Sequence, residues 1–259
     1  KYEIDHFLLF VEQLARELKD ADLFEKTRKN HRGEAVSVAS YIDIARVYFE
    51  SEDSETALNR LSNIPEDEAF MSYERRELYL EIYRSLGDKE KTAEYLRKKF
   101  ESFHHTEVLI ELLDVIGHDK KEEFLKETVE KILSSNDFSA TDVEFLLDEQ
   151  KILEAETYVV DRVDKLDGNH YTTLPSLAEK MQDIGLTLAA SAIFRALMES
   201  ILDRVASKAY YYAAKYLRKL DAMASLITDW RSLEDHGAFK NRILEKHKRK
   251  SSFMAKIKR

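Results

Sequence analysis

The sequence predicts an all-α fold, a tetratricopeptide-like superhelix of stacked antiparallel helix pairs. Three observations carry this expectation: a scarcity of turn-forming residues, helical spacing of apolar side chains along nearly the whole chain, and a loose repeat of small residues. Only 6 Gly and 2 Pro occur in 259 residues, too few for a fold built on tight turns, since glycine supplies positive φ and proline fixes turn geometry. Leu, Glu, Lys and Ala dominate, and these lose little side-chain entropy in a helix. Charged residues make up 35%, yet the 44% hydrophobic content is too high for a disordered chain.

The elements follow in order. From Ile4 to Arg28, residues Phe7, Leu8, Val11, Leu14, Ala15 and Leu18 recur at spacings of three and four and predict one helix with this face in the core. Lys29, Asn30, His31, Arg32 and Gly33 break the pattern. Val38, Tyr41, Ile42, Ala45 and Tyr48 mark a second helix; Ala57, Leu58 and Leu61 mark a short third, ended before Pro65 because proline disfavours helical geometry in the preceding residue. The next pair has Leu78, Ile82, Tyr83 and Leu86 on one helix and Ala93, Leu96 and Phe100 on the other, turned at Gly87 and Asp88. Val108, Leu112, Leu113 and Ile116 repeat the plan before Gly117, with Phe124, Leu125, Val129 and Ile132 returning. Ser139 is placed to cap a helix carrying Phe145 and Leu146, and its mate carries Ile152, Ala155, Tyr158, Val159 and Val163. Ala57, Ala93, Phe124, Ala155, Ala190 and Ala224 take similar places at the start of successive returning helices, 36, 31, 31, 35 and 34 residues apart. That is the period of tetratricopeptide-like pairs.

Beyond Gly185 two long alanine-rich patterns follow, Ala189 to Ile201 and Ala209 to Ile227. Alanine on a packed face brings backbones close. The expected organisation is therefore amino-terminal repeats over 1–185 and a tightly packed carboxyl-terminal segment over 186–259, continuous with the solenoid.

Several classes of chemistry are disfavoured. Without cysteine there are no disulfides, thiolate nucleophiles or Cys-ligated zinc. Glycine never clusters into a phosphate-binding loop. His104 and His105 are adjacent and point about 100° apart on a helix, His236 and His247 are eleven apart, and no His-x-x-x-His pair exists. Glu122, Glu123, Glu127 and Glu130 are interleaved with Lys120, Lys121, Lys126 and Lys131, the pattern of a solvated helix face. No catalytic residue, metal or cofactor is expected. With neither a spanning apolar stretch nor a basic-then-apolar leader, a cytoplasmic location is expected. A chain that opens on Lys1 rather than Met reads as a fragment or processed product.

The net charge of −9 is uneven: Lys240 to Arg259 hold nine Lys or Arg against one acid, Glu245, which leaves −17 on residues 1–239. Candidate binding residues lie in and before this basic end. Tyr210, Tyr211 and Tyr212 span most of a helical turn, and with Arg195, Arg204, Lys208, Lys215 and Arg218 they form either a phosphate- or peptide-binding groove or an interhelical packing layer whose cations answer the acidic body. The run from Lys246 through His247, Lys248, Arg249 and Lys250 is read as an exposed basic junction, open to phosphate or acting on the chain's own acids. Trp230, the single tryptophan, is expected to be a structural anchor. The leading functional expectation is a non-enzymatic scaffold or adaptor for a protein partner. The alternatives are nucleic-acid or phosphate-ligand binding by the basic end, and a helical accessory region of an enzyme whose catalytic domain lies outside this sequence.

The stretch from Ala190 to Phe253 also resembles a known group. FRALMESIL, DRVASKAY, AAKYLRKLDAMASLI, Asp229 with Trp230, and the closing set His236, Phe239, Leu244, His247, Arg249, Lys250 and Phe253 are similar to the carboxyl-terminal segment of a bacterial family of uncharacterised helical-repeat proteins, some of which carry a SWIM-type zinc finger elsewhere. The resemblance implies a helical-repeat fold and a bacterial origin and leaves the activity open. Departures are Ala206 for arginine, Tyr211 for glycine, Tyr212 for histidine, Lys248 for glycine and Met254 for tryptophan.

Overall fold

The computed structural model describes residues 2–32 and 36–257, with side chains from 6–30 and 36–257. Among the described residues all regular structure is helical, in stacked pairs of the tetratricopeptide-like kind. The chain divides into two compact units, one holding residues up to Ser102 with Glu107–His118, the other Phe103–Thr106 with the residues from Asp119 onward. The division falls well before residue 185, and the segment from 186 onward lies within the second unit.

The first unit contains α1 (Tyr2–Glu17), α2 (Ala21–Arg32), α3 (Val38–Glu50), α4 (Ser54–Leu61), α5 (Ser72–Ser85), most of α6 (Lys89–Phe103) and most of α7 (Thr106–Ile116). Its core joins Ala15, Phe24, Ile42, Ala45, Tyr48, Ala57, Leu61, Leu78 and Ile82, all buried. Small residues at Ala45 and Ala57 let α3 and α4 approach closely. Between α5 and α6 the filler is aromatic instead: Tyr79 and Tyr95 rings lie 5.2 Å apart and Tyr83 and Tyr95 5.6 Å.

The opening segment departs from the single helix its spacing predicts. It is two helices, α1 and α2, because Lys19 adopts a left-handed conformation (φ 56) and turns the chain. Helix α2 then runs through Lys29 and Asn30 to Arg32, so those polar residues do not end it, and Gly33 lies outside the described residues. Phe7, Leu14 and Leu18, expected in the core, are exposed; of that face Ala15 is buried. The physical reason is that amphipathicity marks a face that seeks a neighbour, and here α2 covers only one edge of it.

The turn at Lys19 recurs as the joint between the two helices of successive pairs. Positive φ falls at Lys19, Glu52, Gly87, Gly117, Gln150 and Gly185, 33, 35, 30, 33 and 35 residues apart. In five of the six the next amide closes back on a carbonyl five residues earlier: Asp20 to Ala15 (2.9 Å), Asp53 to Tyr48 (2.9 Å), Asp88 to Tyr83 (3.0 Å), Lys151 to Leu146 (2.7 Å) and Leu186 to Met181 (2.9 Å). In the first three the residue after the turn is an aspartate whose Oδ1 accepts from the amide three residues on, at 3.0 Å each, so one residue ends one helix and caps the next.

The second unit holds α8 (Lys121–Ser134), α9 (Ala140–Asp148), α10 (Ile152–Asp161), α11 (Leu174–Asp183), α12 (Thr187–Asp203), α13 (Tyr210–Met223), α14 (His236–Lys246) and α15 (Ser251–Ile257). Helix α10 packs on α8, α9 and α12, and α12 packs on α10, α11 and α13. Being enclosed by these neighbours, α12 buries an almost unbroken run from Leu188 to Met198, as the alanine-rich pattern anticipates. Ala224 breaks the repeat register: it follows the end of α13 instead of opening a returning helix.

Val205 ends α12 with the same closing turn, its successor's amide reaching Ile201 O at 3.3 Å, but with φ 56 on a β-branched residue whose side chain is 63% exposed. Such a conformation costs about 1–3 kcal/mol for a residue of this type and gains no packing here. Val205→Gly is therefore expected to raise stability by about 1 kcal/mol after the added chain entropy, read as a higher urea midpoint at unchanged slope.

Candidate functional site

The predicted binding residues are distributed over three places in the second unit. Arg195 on α12 and Arg204 just past its end line a cleft of about 540 Å³. Opposite them stand the loop Val163–Asn169, the segment Leu233–Glu234, and Phe239 and Arg242 of α14. The cleft exists because Gly168 lets the loop press directly on α12. A Cβ at this position would lie 2.1 Å from the carbonyl oxygen of Ala196 and 2.7 Å from Ser200 Cβ. Ser200 Oγ then reaches Asn169 Oδ1 at 3.0 Å.

Arg195 is buried. Its guanidinium carbon lies 4.6 Å from the Trp230 ring centre and 4.4 Å from that of Phe239, and Nη1 donates to the Glu234 carbonyl at 2.8 Å. Burial depresses its pKa to about 10, with Glu234 and Glu199 opposing that shift. Trp230 is half-buried and serves as one wall for this arginine. Arg242 grips both acids of the rim, donating from Nη1 to Glu199 at 2.8 Å and from Nε to Glu234 at 2.8 Å. Those hydrogen bonds, Glu234 first, raise its pKa further.

The tyrosine run does not join this cleft. Tyr210 is buried edge-on against Phe253, 6.1 Å between centroids, while Tyr211 and Tyr212 are half exposed and pack edge-to-face on each other at 5.6 Å. Lys208 is exposed, Lys215 lies 3.6 Å from Glu179, and Arg218 donates to the Lys256 carbonyl at 3.3 Å. None of these lines the cleft, so the arrangement separates Arg195 and Arg204 from the groove in which the sequence grouped them.

The basic junction is only partly exposed. Lys246 pairs with Asp203 at 2.8 Å, Lys248 pairs with Glu245, and Arg249 points to solvent with Lys250 half-buried. His247, expected among the exposed cations, is buried, with Nε2 3.4 Å from Asp203 Oδ1. The correction has a simple cause: α14 places Phe239, Ile243 and His247 on one face, so the histidine follows the apolar pair inward. Sequence reasoning missed Gly168 and Arg242; the single glycine inside a polar loop was the available signal for the former.

Among the described residues no group of three or more His, Asp or Glu is arranged to hold a metal ion, and no helix is long and apolar enough to cross a membrane. Helix pairs closed by left-handed turns, with a polar cleft beside the most enclosed helix, define an all-α helical-repeat protein. The chain belongs to the family of unknown function DUF6880, whose pattern matches residues 4–256. No curated protein matches it. Among solved structures it is similar to the TPR2AB domain of yeast Sti1 in a pHSP90 complex, at 16% identity over 87% of this chain and 91% of that one, with a TM-score of 0.35. A likeness that loose bears on neither partner nor mechanism.

Two outcomes follow from this geometry. Gly168→Ala forces loop and helix apart and is expected to lower stability by roughly 2 kcal/mol or more, measured by urea denaturation. Burial, with Lys250 adding to it, holds the His247 imidazole below its ordinary value. The unfolded chain therefore binds the proton more readily, and stability falls as pH drops from about 6.5 toward the folded value. In His247→Gln the unfolding midpoint should change less between pH 7 and pH 5 than in the parent.

Proposed function

We propose that the protein is a non-catalytic scaffold that binds another protein through the apolar surface of its helix pairs. The observation that carries this reading is the uncovered face of α1. Phe7, Phe10 and Leu14 of α1, with Leu18 just past its end, stand at spacings of three and four with exposures of 65%, 63%, 44% and 67%. Single exposed apolar residues are ordinary, whereas a continuous row on one helix face marks an interaction surface. The helix-pair architecture supports the same reading, because stacked pairs offer extended surfaces for partners.

The basic end supports an intramolecular role more than a nucleic-acid one. Lys240, Arg242, Lys246 and Lys248 each pair with an acid of the same unit: Asp221, Glu199 with Glu234, Asp203 and Glu245. A phosphate backbone would have to displace those pairs and approach a strongly acidic chain.

The test is in-cell photo-crosslinking from positions beside α1, comparing the parent with a Phe7→Ser, Phe10→Ser, Leu14→Ser variant. Because all three side chains are exposed, the variant should keep its thermal stability within about 0.5 kcal/mol. It should lose at least about tenfold in crosslinked partner, some 1.4 kcal/mol of binding. Identical crosslinks from a folded variant would overturn the reading.

A further inference from the structure

Among the described residues three arginines are more than nine-tenths buried, Arg75, Arg162 and Arg195. Two of them leave no enclosed nitrogen unpaired. Arg75 donates to the carbonyls of Pro65, Glu66 and Glu68 at 2.7, 3.2 and 3.1 Å. Arg162 donates to Leu133 O at 2.6 Å, Ser135 O at 3.1 Å and Tyr158 O at 3.2 Å. Arg195 differs. Beyond the bond from Nη1 to Glu234 O, its Nε and Nη2 are enclosed and meet no acceptor. Enclosed donors without partners are strongly disfavoured, and those on a charged group most of all.

The two unpaired donors have a specific geometry. Nε–H and Nη2–H share one edge of the guanidinium plane and point in parallel, matching the two oxygens of a carboxylate. The edge is already held in place by the rings of Trp230 and Phe239 and by the bond to Glu234. Its chain carries a carboxylate one helical turn on, Glu199, but that group is engaged by Arg242 at 2.8 Å. The cleft volume of about 540 Å³ suits a small ligand or a peptide side chain.

We propose that this cleft is a binding site for a carboxylate, brought by a small organic acid or by an acidic side chain of a peptide, which takes the Nε–Nη2 edge of Arg195. The charge of the walls selects against phosphate. Three arginines face five acids, Asp164, Asp167, Glu199, Asp203 and Glu234, so a dianion meets about twice the repulsion that a monoanion meets. The site lies in the second unit and does not depend on the α1 surface; either can fail without the other.

Trp230 is the only tryptophan and packs on Arg195, so its emission reads the site directly. The full chain is titrated at constant ionic strength with propionate, with the blocked peptide acetyl-Gly-Glu-Gly-amide, and with inorganic phosphate. The expected result is a saturable emission change with propionate or the peptide, about tenfold weaker or absent with phosphate. The tighter of the two carboxylates names the source. Arg195→Lys keeps a cation but lacks the paired donors and should abolish saturation, while Glu199→Gln should preserve it. In the unsubstituted chain the Arg195 Nε–H resonance should shift downfield on the same titration, which keeps the proposal testable if the lysine variant fails to fold. Absence of saturation with both carboxylates, equal binding by folded Arg195→Lys, phosphate binding as tight as carboxylate, or saturation only in Glu199→Gln would each overturn it, the last by assigning the edge to Glu199 itself.

Discussion

Helix ends govern this structure. Every α-helix leaves its first amides and last carbonyls without partners inside the helix, and a chain of short helices multiplies those ends. Two devices meet the need. The left-handed closing turn returns an amide to the helix it has just left, at Lys19, Glu52, Gly87, Gln150 and Gly185. Buried arginines meet it elsewhere: Arg162 carries its fork to Leu133 and Ser135 at the end of α8 while resting on the Tyr158 ring at 4.1 Å. Pair geometry, and hence which faces stack, follows from where these ends can be closed.

The same constraint explains why a polar cleft lies beside the most enclosed helix. Small residues along α12 admit neighbours at close range, and Gly168 admits a loop backbone as well. A loop pressed on a helix brings polar backbone with it, so the surrounding side chains must be able to bond. Ser200 donates to the Asn169 side chain, and the Arg195 side chain donates to the Glu234 carbonyl. The second unit is thus apolar where helix meets helix and polar where loop meets helix.

Sequence periodicity made the helices legible and left their neighbours illegible. Leu78, Ile82, Leu96 and Phe100 read as core and are core; Leu78 and Ile82 lie on α5, which packs on helices close by in the chain, α3 and α4. Phe7, Leu14 and Leu18 read the same way and are exposed, since a hydrophobic stripe states a need for cover without saying what supplies it. The split at Lys19 was hidden because a lysine there carries none of glycine's signal for positive φ, while Gly87 announced an equivalent turn. Of the candidate site, Arg195 and Arg204 were visible as cations near one helix. The burial of Arg195 was not, because Trp230, Glu234 and Phe239 that enclose it come 35 or more residues later.

The basic end illustrates how weak and strong contacts divide the work of docking a terminal segment. Exposed ion pairs such as Lys240 with Asp221 or Lys246 with Asp203 are each worth about 0–1 kcal/mol. They cannot by themselves hold two short helices in place. Phe239, Ile243 and Phe253 are buried, and at about 1.5–3 kcal/mol for each such side chain they supply most of the adhesion. The buried face of Phe239 and Ile243 also sets the rotation of α14 about its own axis, since turning either residue outward would expose it. With that face inward, Phe239 stands against Arg195 at the cleft floor, and Arg242 on the same helix reaches both Glu199 and Glu234 at its rim. The apolar face thus places the helix, and the ion pairs add to a geometry it has already set.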